Sequence, residues 1–389
     1  MKIKKLFKYF LPGIITFALT GILFFNSGVK QNVYSFPEYK YQTGSGVGKD
    51  SASSGSDGPI IVYEDGKIIN YSVYPSGTSF VISKKYITGS DTLSCFIDET
   101  NRKFSFKLKD TVVTEKDIYE LPERMLIISD IHGNFKGLEM ILTGAGVLDD
   151  NLNWIFGNGH LVLDGDFFDR GNNATECLWL IYKLESEAEM QGGKVHFILG
   201  NHELMNLKEN YKYVSNKYFK IADTLKLDYK KWYAPNTELG KWLRSKNSIE
   251  KIGDYLFLHA GISKDFPKGV YSITDINNNI RSTIDRIYQS GEISGDIFIG
   301  RESPVWYRGI AEEKEVQEEV EKTLLSFGAS KMILGHTIID SIKYLYNKKI
   351  ILINVDHQVN TDNGKMFALW FENNKFSIVD NKGNKTNLK

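Results

Sequence analysis

The sequence predicts an α/β chain, on three observations. Short apolar runs at 126–129, 161–163, 195–199, 255–258, 331–334 and 350–354 each stop in a polar loop, mostly bordered by glycine. Runs of this length and β-branched content read as buried strands. Helical stretches, 175–190 and 313–327 among them, lie between some of these runs. Strands alternating with helices argue for a sheet domain with its functional residues at strand carboxyl ends. The third observation is a change of style at about residue 120, where short alternating segments give way to this pattern.

Taken in order, residues 1–27 read as a signal peptide or membrane anchor. Lys2, Lys4, Lys5 and Lys8 precede an apolar run that ends at Phe25. That run sits near the lower end of the roughly 17–25 residues that span a bilayer. No Ala-x-Ala follows it, so a cleaved signal and an uncleaved anchor both stay open. Basic residues ahead of the run favour export, with the main domain periplasmic or anchored outside the cytoplasm. Residues 28–58 hold a Gly/Ser-rich stretch, 44–58, expected to be a flexible linker. Residues 59–120 read as a small β-rich lead-in, with Asp65-Gly66 as a hairpin turn between two apolar runs. Residues 121–389 form the main domain. Within it, 206–248 is rich in Tyr, Lys and Trp and is expected to be a helical cap beside the site.

Composition narrows the function classes. The hydrophobic share of 42% supplies a sizeable core. Lys+Arg and Asp+Glu are both 48, so net charge gives no argument for a nucleic-acid partner. The two cysteines, Cys95 and Cys177, lie far apart and are expected to be free.

The chemistry sits at the strand ends. The first is Asp130-Ile131-His132-Gly133-Asn134. A carboxylate and an imidazole two residues apart can point into one loop, and both suit borderline divalent metals. The second is Gly165-Asp166-Phe167-Phe168-Asp169-Arg170-Gly171. The third is Gly200-Asn201-His202-Glu203, the fourth His259-Ala260-Gly261 and the fifth Gly335-His336-Thr337. Together they offer oxygen ligands Asp130, Asp166 and Asn201, and nitrogen ligands His132, His259 and His336, with no thiolate. That set suits two divalent ions of the Mn, Fe or Zn kind, one carboxylate bridging. Such a pair sits about 3.5–4 Å apart and can hold a bridging hydroxide at neutral pH. His202 is then spare beside Asn201, where a general acid belongs, with Asp169 holding its imidazole charged. Arg170 supplies a fork for phosphate oxygens. His160, His196 and His357 lie outside these glycine-bordered ends and read as packing or surface residues.

The five motifs in this order resemble the calcineurin-like metallophosphoesterases. More narrowly they resemble the phosphoprotein phosphatases, in which Asp-Arg-Gly and Asn-His-Glu occur together, and within these the bacterial Shewanella-like phosphatases. Thr175-Glu176, 192–195, 205–207, 242–246 and 305–309 add to the likeness, which covers about 126–370. The resemblance implies a central β-sandwich flanked by helices and a dimetal phosphomonoesterase. By the same resemblance Asp130, His132 and Asp166 would hold one metal, and Asp166, Asn201, His259 and His336 the other. His202 would be the acid, paired with Asp169. Arg170 would bind phosphate and Arg308, in Trp-Tyr-Arg, would be a second clamp. One departure is Asn354-Val355-Asp356-His357, where relatives more often carry Asp-Thr-Gly.

The expected activity is therefore a metal-dependent phosphomonoesterase on phosphoserine, phosphothreonine or phosphotyrosine proteins. The alternative is hydrolysis of a small phosphoester, such as a nucleotide or dinucleoside polyphosphate, on the same metals. A catalytically dead binding protein is argued against by the full ligand set. A nucleic-acid phosphodiesterase is argued against by the want of a basic stretch beside the site.

Overall fold

The computed structural model describes residues 55–76, 79–287 and 293–388. The expected targeting segment, and all but the last residues of the expected linker, lie outside these. Among the described residues no helix is long and apolar enough to cross a membrane.

The chain opens with an antiparallel three-stranded sheet, β1 (Asp57–Glu64), β2 (Lys67–Ser76) and β3 (Ser79–Ile87), then a hairpin of β4 (Thr92–Ile97) and β5 (Arg102–Lys107). Glu64 pairs with Lys67 across Asp65-Gly66, whose φ angles of 49° and 72° make the tight turn that hairpins favour. These strands do not stand apart from the rest. Phe106 stacks on Trp179 with ring centroids 4.5 Å apart, and Trp179 Nε1 donates to the Pro59 carbonyl at 2.7 Å. Trp179 lies on the helix Ala174–Met190, which is buried along most of its length, Cys177, Leu178, Leu180, Ile181 and Leu184 included. A helix apolar all round must be covered on both sides. One side meets the main sheet and the other meets the early strands.

The main domain is two six-stranded sheets. In the first, β7 (Arg124–Ile128), β8 (His160–Asp164) and β9 (Lys194–Ile198) are parallel. With β15 (Phe367–Glu372), β16 (Lys375–Asp380) and β17 (Lys385–Asn387) they run in the order β17-β16-β15-β7-β8-β9. In the second, β11 (Tyr255–Leu258), β12 (Lys331–Leu334) and β14 (Ile350–Leu352) are parallel. With β6 (Ile118–Tyr119), β10 (Ile249–Ile252) and β13 (Lys343–Leu345) they run in the order β13-β14-β12-β11-β10-β6. Alternate residues divide the two faces, as the pleat requires. Met125, Ile127, Val162, Ile198, Phe257, Ile333 and Ile351 meet between the sheets. Leu126, Ile128, Leu161, Leu163 and Val195 face outward under the helices. The result is a β-sandwich with helices outside it, and the carboxyl ends of five parallel strands gathered at one edge.

Two local features differ from expectation. Residues 206–248 are helical only in pieces, Asn216–Leu225, a 3-10 turn at Tyr229–Lys231, and Glu238–Arg244. Ser215, Asp228 and Thr237 each accept a backbone N–H at the start of a piece, so the stretch carries its own stop and start signals. The helix expected over 313–327 begins only at Gln317. Ahead of it Glu313 is left-handed and Lys314 N–H bonds back to the Gly309 carbonyl at 2.8 Å. Asp356, in the segment that departs from Asp-Thr-Gly, caps the helix His357–Asp362 by accepting Val359 N–H at 3.0 Å. Both cysteines are free and buried.

Candidate metal centre

The loops after β7, β8, β9, β11 and β12 converge, and Asp130, His132, Asp166, Asn201, His259 and His336 all lie in them. Two clusters form, Asp166 with His132 and His202, and Asp166 with His259 and His336. Within each, the ligand atoms lie within 4.8 Å of one another. Asp166 is common to both, the place a bridging carboxylate must take. His259 Nε2 lies 3.0 Å from Asp166 Oδ2 and 3.1 Å from Asn201 Oδ1. His336 Nδ1 is 3.2 Å from His259 Nε2. His132 Nε2 stands 3.9 Å from carboxylate oxygens of Asp130 and Asp166.

The backbone that aims these groups is unusual. Asp130, His132, Asp166, Asp169, Arg170 and His336 all have φ between 49° and 70°. Few residues with a Cβ adopt the left-handed region, at a cost of order 1–3 kcal/mol each. Cross-loop hydrogen bonds hold them there. Asp130 N–H donates to Gly165 O, His132 N–H to Asp166 O and Gly171 N–H to His132 O, each at 2.9 Å. Two glycines leave the space. A Cβ on Gly200 would come within 2.3 Å of Asp166 Oδ1, and one on Gly335 within 2.7 Å of Asp130 Oδ2.

Does the donor set fit divalent ions? His132 Nδ1 bonds the Phe168 carbonyl and His259 Nδ1 the Asp164 carbonyl, both at 2.8 Å. Each imidazole thereby turns its Nε2 toward the centre, the usual support for a metal-ligating histidine. His132 Nε2 is buried without a hydrogen-bond partner. Burial pushes His132 and His336 well below the usual histidine range, so both are neutral and able to ligate. His259 goes the other way. Burial disfavours its charge, but the Asp166 and Asp130 carboxylates outweigh that and raise it to about 10. The paired carboxylates thus demand positive charge at this point. A divalent ion would answer that demand and release the proton. The residues fit a dimetal site.

His202 differs from the ligands. Its Nδ1 is 2.5 Å from Asp169 Oδ2, while Nε2 lies 3.9 Å from Asp166 Oδ2. Burial works against its charged form, yet Asp166 and Asp169 together raise it above the ordinary histidine value. With Nδ1 held by Asp169, whose charge favours the imidazolium, this ring is well placed to give up a proton from Nε2. Arg170 is exposed at the mouth, and its positive charge helps to depress His132. Arg308 donates to the His336 carbonyl at 2.9 Å and to Thr337 Oγ1 at 3.1 Å, which fixes it beside the site.

Two residues not singled out for a role in the sequence carry much of the arrangement. Glu203, fully buried, accepts four backbone N–H groups. Oε2 takes Asp166 at 2.8 Å and Gly200 at 2.7 Å, and Oε1 takes Phe167 at 2.7 Å and Phe168 at 3.3 Å. Asn206 donates to Asp169 Oδ1 at 2.8 Å and accepts from the Tyr229 hydroxyl at 3.0 Å. Its signal in the sequence was its place one helical turn after His202.

Comparison with known proteins matches residues 123–340 to the calcineurin-like phosphoesterase family. The chain belongs to that family. The phosphoesterase is 27% identical over 284 residues to Shewanella-like protein phosphatase 2 of Arabidopsis thaliana, covering 61% of this chain and 72% of that one. It is 29% identical over 241 residues to Shewanella-like protein phosphatase 1 of Plasmodium berghei, covering 59% of this chain and 66% of the relative. Among solved structures it is similar to a cold-active protein-tyrosine phosphatase of a psychrophilic Shewanella species, with TM-score 0.75 and 29% identity. That match covers 86% of this chain and 99% of the other.

Proposed function

We propose that the phosphoesterase is a metal-dependent protein phosphatase that hydrolyses phosphomonoesters with His202 as general acid. The observation that carries this reading is the His202–Asp169 pair set against a carboxylate, Asp166, that belongs to both ligand clusters. Asp130, His132 and Asp166 would hold one divalent ion, and Asp166, Asn201, His259 and His336 the other. When bound, such a pair activates water at neutral pH and neutralises phosphoryl charge. The protein's own groups do the rest. Asp169 keeps His202 Nδ1 engaged, so the proton to be donated is on Nε2, facing the centre. Arg170 and Arg308 would grip the phosphoryl oxygens. The names of the Arabidopsis and Plasmodium relatives support a phosphoprotein substrate, and that of the Shewanella structure supports phosphotyrosine.

Metal-replete protein screened side by side on phosphopeptides, nucleotides and sugar phosphates tests this. Turnover of phosphopeptides above the others is expected. Turnover of nucleotides alone would overturn the protein-phosphatase reading. The basic-then-apolar start supports a second element, export with the catalytic domain outside the cytoplasm. A reporter fused after Ser27 should work only outside; one active only in the cytoplasm would contradict it.

A further inference from the structure

The general acid has an aromatic neighbour that the mechanism above does not use. Tyr213 lies in the stretch between the helices Asn201–Leu207 and Asn216–Leu225, and its ring centroid is 5.3 Å from that of His202, tilted by 45°. Tyr213 is 37% exposed, so its ring packs on the imidazole without being enclosed. Its position is fixed from three directions. The Tyr213 carbonyl accepts Arg170 N–H at 2.9 Å, tying this residue to the loop that carries Asp169. The Lys212 ammonium lies 5.3 Å over the ring. Tyr211, two residues earlier, packs on Phe219 and Tyr229 and anchors the segment to the cap.

Geometry says what this ring would meet. The oxygen that His202 protonates must come within about 2.6–3.2 Å of Nε2. The first atoms beyond that oxygen belong to the leaving group, and they lie on the His202 side of the centre, where Tyr213 is. A phenolic leaving group carries a ring at that point, and aromatic pairs attract at centroid spacings of about 4.5–7 Å. A seryl leaving group carries one methylene there and reaches nothing comparable. We infer that Tyr213 is a specificity-determining residue, a wall against which an aryl leaving group stacks, and that it biases the site toward phosphotyrosine. This rests on the phosphatase reading above and narrows its substrate class.

Stacking of this kind acts on bound substrate and transition state alike, so it should appear in KM rather than kcat. The test uses the full, metal-replete chain and two peptides identical but for phosphotyrosine or phosphoserine. Wild type is expected to favour the phosphotyrosine peptide. Tyr213→Ala should lower kcat/KM on that peptide by roughly 3–10-fold, mostly through KM, the size of a lost aromatic pair. The phosphoserine peptide should change less than about twofold, and Tyr213→Phe should keep the wild-type ratio because the ring remains. Equal losses on both peptides, carried by kcat, would mean that Tyr213 only positions His202 and would overturn the inference. So would an unmoved ratio, or a wild type that favours phosphoserine. A wild type inert on both peptides would instead remove the phosphatase reading, and this inference with it.

Discussion

Glu203→Gln is the substitution whose cost the structure specifies most fully. It changes one oxygen of a fully buried carboxylate to an amide of the same shape. The carboxylate takes four N–H donors, two on each oxygen. A glutamine can satisfy one pair. The other pair then faces an NH₂ group, whichever way the amide is turned. Each orphaned buried donor costs about 1–3 kcal/mol, so the change should destabilise by roughly 2–6 kcal/mol. Both possible pairs include the backbone of the Asp166 loop, so the bridging carboxylate loosens as well. Losses of a supporting contact of this sort typically lower metal affinity 10–100-fold. The assay is denaturant unfolding at fixed m-value with metal content measured on the same samples, and the exposed Glu302→Gln as control. A Glu203→Gln midpoint equal to that of the control, with two ions retained per chain, would refute the reasoning.

His202→Asn should leave the metals bound and cut turnover of a phosphoserine peptide by about 10²–10⁴, with a smaller loss on an activated aryl phosphate; unchanged peptide turnover removes His202 from the mechanism. Gly200→Ala puts a methyl 2.3 Å from Asp166 Oδ1 at an ordinary φ of −90°, so it should cost metal and activity while leaving the far-ultraviolet circular dichroism intact; full metal content would contradict this. The remaining prediction concerns a buried pair between the sheets, His196 Nδ1 and Glu250 Oε2 at 2.7 Å. Burial pushes Glu250 up to about 7 and His196 down to about 3. A raised carboxyl contributes stability that is lost as pH rises from about 4.5 toward 7, and a lowered imidazole contributes stability that is lost as pH falls from about 6.5 toward 3. Between about 4.5 and 6.5 the two cancel, because folded and unfolded chains each hold one proton on the pair. Glu250→Gln removes the first slope alone. The variant should lose stability on acidification through that window by up to about 1.4 kcal/mol per pH unit more than wild type. Parallel unfolding midpoints for the two proteins at pH 5 and 7 would contradict this.

The parts of this molecule that could be read from the chain are those fixed by local chemistry. Short charge-free runs such as 125–128 can only be buried strands, and a glycine-bordered Asp or His at the end of each marks a loop that must come close to something. That these loop ends meet at one place was legible that way. The left-handed backbone at Asp130, Asp166 and His336 was not, since Asp and His are enriched at positive φ yet most of them lie outside it. The same holds for Glu203, three of whose four partners are backbone groups 35 to 37 residues away, and backbone groups leave no signature in a sequence. The cap shows the opposite limit. Its Tyr and Trp residues are helix-compatible, but three capping side chains break it into pieces, and which of several Ser, Asp and Thr will cap is settled by tertiary packing. The C-terminal strands β15 (Phe367–Glu372) and β16 (Lys375–Asp380) carried a local signal in Asn373-Asn374, both at positive φ. That β15 returns to lie beside β7 is a matter of topology alone.

The most direct measurement is metal content paired with activity on a phosphopeptide, before and after exhaustive chelation. Six donors drawn from five loops, with Asp166 shared, predict two divalent ions per chain, no turnover once they are removed, and recovery on adding Mn²⁺. Full turnover by the stripped protein, or a chain that binds no divalent ion at all, would contradict the account.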